Sequence, residues 1–248
     1  MRYDSEQELF MPSSQDPALR LYELRLDNGR SVSPYVWRIR YVLAHKGLDC
    51  EQVLLGFTEI APRFDGRFKT VPVLRHGDTL MAESWDIAKY LDETFPDEPV
   101  FSSAGEFLSI RLFDYWFALE VSKRLIGMYV LDIHDAARPE DRPYFRASRE
   151  ARFGGRKLEE IVAGRESRLP ALREALQPLR LQLANGPYLG GSSPGYADYI
   201  AWSAFQWVGS IATLPPLAKD DALRPWLERG FEQRGPQFRD PRLHPLFE

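Results

Sequence analysis

SVSPYVWRIRYVL, residues 31–43, is the stretch from which the rest of the chain can be read. Pro34 suits the first turn of a helix, where a missing N–H loses no intrahelical bond. Val36, Ile39, Val42 and Leu43 then recur at three- and four-residue steps and give that helix one apolar face. His45 and Lys46 fall in its last turn and Gly47 ends it. Upstream, residues 20–26 (RLYELRL) alternate apolar and polar like a strand, and Asp27-Asn28-Gly29 is turn chemistry. Downstream come a second strand over 50–55, a weaker helical stretch around 58–64, and strands over 71–74 and 79–82 joined through Gly77-Asp78. Ser84 is expected to cap a helix that carries Ile87, Ala88, Leu91 and Phe95 on one face and closes at Pro96. The order β-α-β-α-β-β-α over residues 19–96 is an α/β unit.

The character changes after Pro99. From about Glu106 onward the patterns are helical, and none reads as a strand. Leu108, Leu112, Trp116 and Leu119 recur at helical spacing. Residues 138–156 are charged and read as a loop passing into a helix. Residues 169–183 read as one helix that Pro178 must kink. Ala197, Ile200, Ala201, Ala204 and Val208 mark a central apolar helix, and 223–231 one more. Residues 103–248 therefore form an all-α second domain, and residues 1–18, polar with two prolines, a loose N-terminal arm.

Composition narrows the function. The chain has 248 residues, 44% hydrophobic and 27% charged, with a net charge of −4 and a pI near 5.7. That is ordinary globular composition, and no polycationic stretch tracks a phosphate backbone. The start, MRYDSEQELF, lacks the apolar core of a signal peptide, and no run of about 18 apolar residues spans a membrane. Cys50 is the only cysteine, which fits a reducing, cytoplasmic setting. The four histidines are scattered, so no protein-built metal site is expected.

Ser33 stands where a thiol–disulfide enzyme would carry a cysteine, directly before Pro-Tyr at a helix start. The free amides and dipole there favour an anion. With serine the protein brings no sulfur of its own, and the plain alternative is Ser33 as an N-cap with no ligand. Val71-Pro72 is either an ordinary proline at a strand edge or a cis bond that leaves the preceding backbone groups free. Glu83-Ser84 is either a solvated acid beside a cap or a site for an ammonium and a carboxylate together. GSSPG at 191–195 matches an esterase elbow. It fails because Pro194 has no N–H to serve as the oxyanion donor; Gly195 as N-cap with Asp198 at the third helical position is the better reading.

SPYVWR at 33–38, TVPVL at 70–74, ESWDIAKYLDETFP at 83–96 and PYLGGSSPGYADY at 187–199, in that order, resemble the cytosolic glutathione transferases. The resemblance covers roughly residues 20–235. The 31–49 segment is similar to the bacterial glutathione-dependent β-etherases of lignin breakdown and their fungal relatives. It implies a thioredoxin-like domain followed by a helical one, a homodimer, and glutathione as co-substrate. It also implies a cis bond at Pro72, with Val71 pairing its backbone to the cysteinyl part of glutathione, and Glu83-Ser84 holding the γ-glutamyl end. Ser33, with Ser31 second, would hydrogen-bond the glutathione thiolate. Tyr35, Tyr115, Trp116 and Tyr129 are candidate walls of an apolar pocket for an aromatic electrophile.

Three readings compete at this point. The main one is a transferase whose thiolate attacks a hydrophobic aromatic electrophile, cleaving a β-aryl ether in the etherase version. A conjugating enzyme of the detoxification kind without etherase activity is the enzyme rival. A carrier that binds glutathione or aromatic ligands without turnover is the rival of another class. A glutaredoxin-like enzyme is disfavoured, since Cys50 is not the residue before Pro34.

Overall fold

The computed structural model describes residues 18–101, 103–232 and 246–248. Apart from Ala18, the expected N-terminal arm lies outside the described residues. The first half runs β1 (Leu19–Leu24), α1 (Pro34–His45), β2 (Cys50–Leu55), α2 (Ile60–Arg63), β3 (Val73–His76), β4 (Thr79–Ala82) and α3 (Ser84–Thr94). The element order is the expected one, several boundaries shift by one or two residues, and two of these shifts have local reasons. β1 ends at Leu24 because Arg25 already turns, donating its N–H to Leu55 and bridging to Ser31. β3 starts at Val73 because Pro72 has no N–H to give the ladder.

The four strands form one mixed sheet in the order β2-β1-β3-β4. β1 and β2 are parallel, with Leu24 opposite Leu55. β3 runs antiparallel to both β1 and β4, with Val73 opposite Tyr22 on one side and Ala82 on the other. This register decides where the chemistry sits. The end of β1, the start of β3 and the end of β4 all lie at one edge of the sheet. The three segments that leave or enter there are the Ser31–Ser33 turn, Val71-Pro72 and Glu83-Ser84.

The second half is helical. α4 (Ala104–Phe117), a π-helical turn (Ala118–Ser122) and α5 (Lys123–Ala136) keep helical dihedrals through both joins and run on as one helix. α6 (Arg142–Arg152), α7 (Leu158–Val162), a 3-10 turn (Arg165–Arg168), α8 (Leu169–Ala175), α9 (Gln177–Leu183), α10 (Tyr196–Gly209) and α11 (Arg224–Glu232) follow. The single kinked helix expected over 169–183 is two helices that part at Leu176. Pro178 then sits in the first turn of α9, where its missing N–H costs no intrahelical bond. Among the described residues this half holds only isolated bridges and no strand.

The halves meet on α1, whose outer face lies against α10. Tyr41 stacks on Tyr199 with ring centroids 5.4 Å apart and planes 7° from parallel. Its hydroxyl donates to Gly230 O and accepts from Gln206 Nε2. Gly230 is required there: a Cβ would lie 2.4 Å from the buried Trp202 ring. α10 is anchored as the sequence suggests, with Asp198 reaching back to the Gly195 N–H. The same carboxylate also accepts from Leu189 N–H and Trp226 Nε1, and burial still pushes its pKa up.

A second junction forms where residues 138–141 cross the β2–α2 turn. Asp141, fully buried, accepts from Thr58 N–H, Thr58 Oγ1 and Arg138 Nε. Glu59 accepts from Gly56 N–H and from Arg138 Nη1. Arg138 passes so close over Gly56 that a Cβ there would stand 1.5 Å from Nη2. The Gly56 N–H, and after it Arg138, holds the Glu59 carboxyl below its usual value of 4.5. Burial opposes the charge on Asp141, yet Arg138 and Thr58 outweigh it and leave that carboxyl below 3.8. Both groups therefore stabilise the fold fully above the ordinary carboxylate range, and that contribution is lost as the pH falls below it through their lowered folded values. Asp141→Asn is expected to be less stable than wild type at pH 7 in urea denaturation, with the gap narrowing as the pH falls below 3.8. A gap that stayed constant down to pH 3 would remove the junction from the acid sensitivity of the fold.

Candidate functional site

The turn before α1 is held from beneath. Ser31 O accepts from Trp37 Nε1 at 3.2 Å and from Ser210 Oγ at 3.4 Å. Arg30 Nη1 donates to Ser210 O, and Asp27 N–H to Ala136 O, so this loop is tied to the ends of α10 and α5. Ser33 is the N-cap of α1, with extended dihedrals (φ −93°, ψ 118°), and its Oγ accepts from Val36 N–H at 3.3 Å. Accepting that bond leaves the hydroxyl proton free to be donated. Ser31 Oγ differs: it is buried and has no hydrogen-bond partner among the described residues. Buried hydroxyls are ordinarily bonded, so this atom is a place for a ligand or a water.

Val71-Pro72 is cis, with both residues buried at the head of β3. Beside it, Glu83 and not Ser84 is the N-cap of α3, which corrects the expected capping. Glu83 has φ 70° and ψ 112°, a conformation sparsely populated by residues with a Cβ. Ser84 becomes the first helical residue and is buried; its carbonyl accepts from Tyr196 Oη at 3.3 Å. Burial pushes the Tyr196 hydroxyl up to about 12, so it keeps the proton it donates. Thus α10 positions both helix starts, holding the Ser31 turn through Ser210 and the α3 start through Tyr196.

The four candidate pocket residues separate. Tyr35 is 47% exposed directly after Pro34, with the Arg38 guanidinium 4.9 Å from its ring centroid. Arg38 is buried and pairs with Asp114 of α4 at 2.9 Å. Arg111 lies 3.8 Å from the same carboxylate, over the Trp85 and Tyr115 rings, and Tyr115 is 54% exposed. Contacts therefore link Tyr35 to Tyr115 through Arg38, Asp114 and Arg111, and reach Trp85 next to Ser84. Trp116 turns away, into a groove it shares with Glu120, Glu174, Pro178 and Leu181. Tyr129 is no pocket wall: it is fully buried and its hydroxyl donates to Leu214 O. Sequence reasoning missed Arg38, Arg111 and Asp114. The available signal was a lone arginine beside an otherwise apolar helix face.

Cys50 lies at the start of β2, at the opposite end of the sheet from the turn. Burial, then the nearby Glu23, pushes its thiol up to about 12, so it stays protonated and weakly nucleophilic. Among the described residues no group of His, Cys, Asp and Glu side chains could hold a metal ion.

Comparisons with known proteins identify the two halves. The profile of the glutathione S-transferase N-terminal domain matches residues 29–99, and that of the C-terminal domain matches 110–215. A glutathione S-transferase-like protein, ustS, of Aspergillus flavus is 28% identical over 72% of this chain and 74% of its own. Glutathione transferase GSTFuA3 of Phanerochaete chrysosporium is 28% identical, with a TM-score of 0.69 over 78% of this chain and 85% of that one. A glutathione S-transferase of Ceriporiopsis subvermispora, solved with glutathione, is 23% identical and shares the fold, with a TM-score of 0.72 over 90% and 96% of the two chains.

The strained dihedrals of Glu83 separate stability from site geometry. Glu83→Gly is expected to raise stability by about 1 kcal/mol, because relief of a conformation costing about 1–3 kcal/mol exceeds the entropic cost of glycine. Thermal denaturation checks this, and a lower melting temperature would show that the side chain itself supports the fold.

Proposed function

The chain belongs to the glutathione S-transferase family, and on that premise we propose that it is a transferase in which the glutathione thiolate attacks a hydrophobic, aromatic electrophile. The observation that carries this reading is the meeting of three turns at one edge of the sheet: Ser31–Ser33, Val71-Pro72 and Glu83-Ser84. Each offers a different chemistry to one thiol tripeptide. Backbone groups of Val71, free of the sheet ladder, pair with the cysteinyl unit as an added strand would. The start of α3 takes the γ-glutamyl carboxylate, and Glu83 its ammonium. That places the thiol toward the N-terminus of α1.

There the thiol must ionise. A free thiol of pKa ~8.5 is mostly protonated at pH 7, and lowering it by ~2 units takes about 2.7 kcal/mol of preferential thiolate stabilisation. A hydroxyl hydrogen bond to the charged sulfur, worth about 1.5–3 kcal/mol, together with the helix terminus, meets that requirement. Ser33 donates while it caps α1, and Ser31 Oγ supplies a second donor. Serine does not act as the nucleophile, since among the described residues no histidine is bonded to either hydroxyl as a base. The thiolate forms a C–S bond and the leaving group departs with its electron pair. In the etherase version that group is an aryloxide beside a ketone, which leaves readily because phenols have pKa ~10. The alternatives are general conjugation without ether cleavage, and a carrier that binds without turnover.

The test is a product assay by mass spectrometry with glutathione and an aryl chloride, an isothiocyanate and a β-aryl ether ketone. Ser33→Ala and Ser31→Ala are each expected to slow conjugation about 10- to 100-fold, the value of one hydrogen bond to a charged group. Phenol release with a glutathione thioether selects the etherase; conjugates of the other two electrophiles alone select the general transferase. Glutathione binding with no product from any substrate selects the carrier.

A homodimer in the cytoplasm belongs to the same proposal. Leu108, Leu112 and Leu119 stand on one face of the long helix, 68%, 70% and 65% exposed, with Tyr115 at its margin. Such an apolar stripe at helical spacing suits a second copy of itself. Leu112→Arg is expected to shift the mass in light scattering from two chains to one. An unchanged mass would move the interface elsewhere.

A further inference from the structure

Arg38 and Arg111 share one carboxylate, Asp114, at 2.9 and 3.8 Å. Among the described residues neither guanidinium has another ion-pair partner. The cluster therefore carries one positive charge in excess. Arg38 is spoken for, buried between α1 and α4 beneath Tyr35. Arg111 is not. Its side chain is about a third exposed, with Nε donating to Tyr115 Oη at 3.0 Å and its guanidinium carbon over the Trp85 ring, 4.6 Å from the centroid. These contacts fix the orientation of the guanidinium, and its one counter-ion, Asp114, lies at 3.8 Å and is shared with Arg38. It lies one residue in contact from Ser84, and Tyr35 and Tyr115 present exposed rings on either side of the pair.

We propose that Arg111 selects the second substrate, and that this substrate is an aromatic electrophile carrying a carboxylate. The inference rests on the transferase reading above and narrows it. An aromatic acid matches the two features the cluster exposes. Its ring meets phenol faces, and its carboxylate supplies the in-plane acceptors that a fork of N–H groups favours. A neutral ring of the same shape satisfies only the first. The Tyr115 hydroxyl and the Trp85 face hold the guanidinium in place before the ligand arrives, so little side-chain freedom is lost on binding.

The test compares 4-chloro-3-nitrobenzoate with 4-chloro-3-nitrobenzamide, which share ring, leaving group and size. In both, the thiolate forms a C–S bond at the chlorine-bearing carbon, chloride leaves with the electron pair of the C–Cl bond, and the thiol proton passes to solvent. With each kcat/KM divided by that compound's uncatalysed rate with glutathione, because carboxylate activates the ring less than carboxamide does, wild type is expected to favour the benzoate by about five- to tenfold, the range of a charge-assisted bond discounted for exposure. In Arg111→Gln the ratio is expected to fall towards one through a higher KM for the benzoate, and in Arg111→Lys to recover in part. A loss of fold would lower both rates together and leave the ratio in place. A ratio near one in wild type, or one unchanged in an Arg111→Gln protein that keeps its benzamide rate, overturns the proposal. If neither compound is conjugated, the transferase reading fails for aryl chlorides. Calorimetric binding of the same pair then decides: tighter benzoate binding that Arg111→Gln abolishes supports the site, and equal binding overturns it.

Discussion

Tyr41, stacked on Tyr199 in the middle of the protein, joins two structures that would otherwise be separate. Its helix, α1, is core to the sheet on one face and core to the helical half on the other. Val36, Ile39 and Val42 are fully buried, and Tyr41 itself has no exposure. An aromatic pair of this kind contributes about 0.5–1.5 kcal/mol beyond the area it buries. Its larger effect is geometric. Because α1 cannot shift against α10, the N-terminus of α1 points at a fixed spot, and so do the residues that α10 holds through Ser210 and Tyr196.

The turn without sulfur makes sense in that setting. A redox helix start stabilises a thiolate that is covalently its own. Here the same amides and dipole remain, the capping oxygen is still needed for Val36, and a second hydroxyl at Ser31 is left buried without a partner among the described residues. A position that once requires a covalent sulfur can serve a diffusible one, provided other elements hold the rest of the ligand. The start of β3 and the start of α3 are within reach because an antiparallel register sets Val73 beside both Tyr22 and Ala82. Part of the arrangement is strained, since Glu83 is held at φ 70° without being glycine. Backbone strain of this sort persists where the surroundings over-determine a conformation.

The charged segment between α5 and α7 has a mechanical role in this scheme. Arg138 and Asp141 bind the β2–α2 turn, and Phe145 of α6 meets Phe57 edge to face at 5.0 Å. What composition presents as a solvated run of charges is a second tie between the halves, on the opposite edge of the sheet from α3. The sheet is therefore gripped at both sides, through α1 and α10 on one and the Arg138 junction on the other.

Local chemistry was legible in the residues alone. Period-two and period-3.6 patterns, proline at a helix start and glycine after a helix end each act within a few positions, so they placed the elements of the α/β unit and the central apolar helix. Ser33, Val71-Pro72 and Glu83-Ser84 lie in short motifs with their own backbone requirements, but it is the family resemblance that joins them, with Ser31, into one ligand site. Orientation could not be read that way. Leu108, Leu112 and Leu119 share a helical face whether it points in or out, and Tyr129 and Tyr115 belong to one long helix with opposite fates. The Arg38–Asp114–Arg111 cluster joins residues of two helices that only packing brings together. Sequence spacing determines which side chains share a face; which face meets solvent, a partner helix or a ligand depends on how the two halves dock, and that was decided by the tertiary structure.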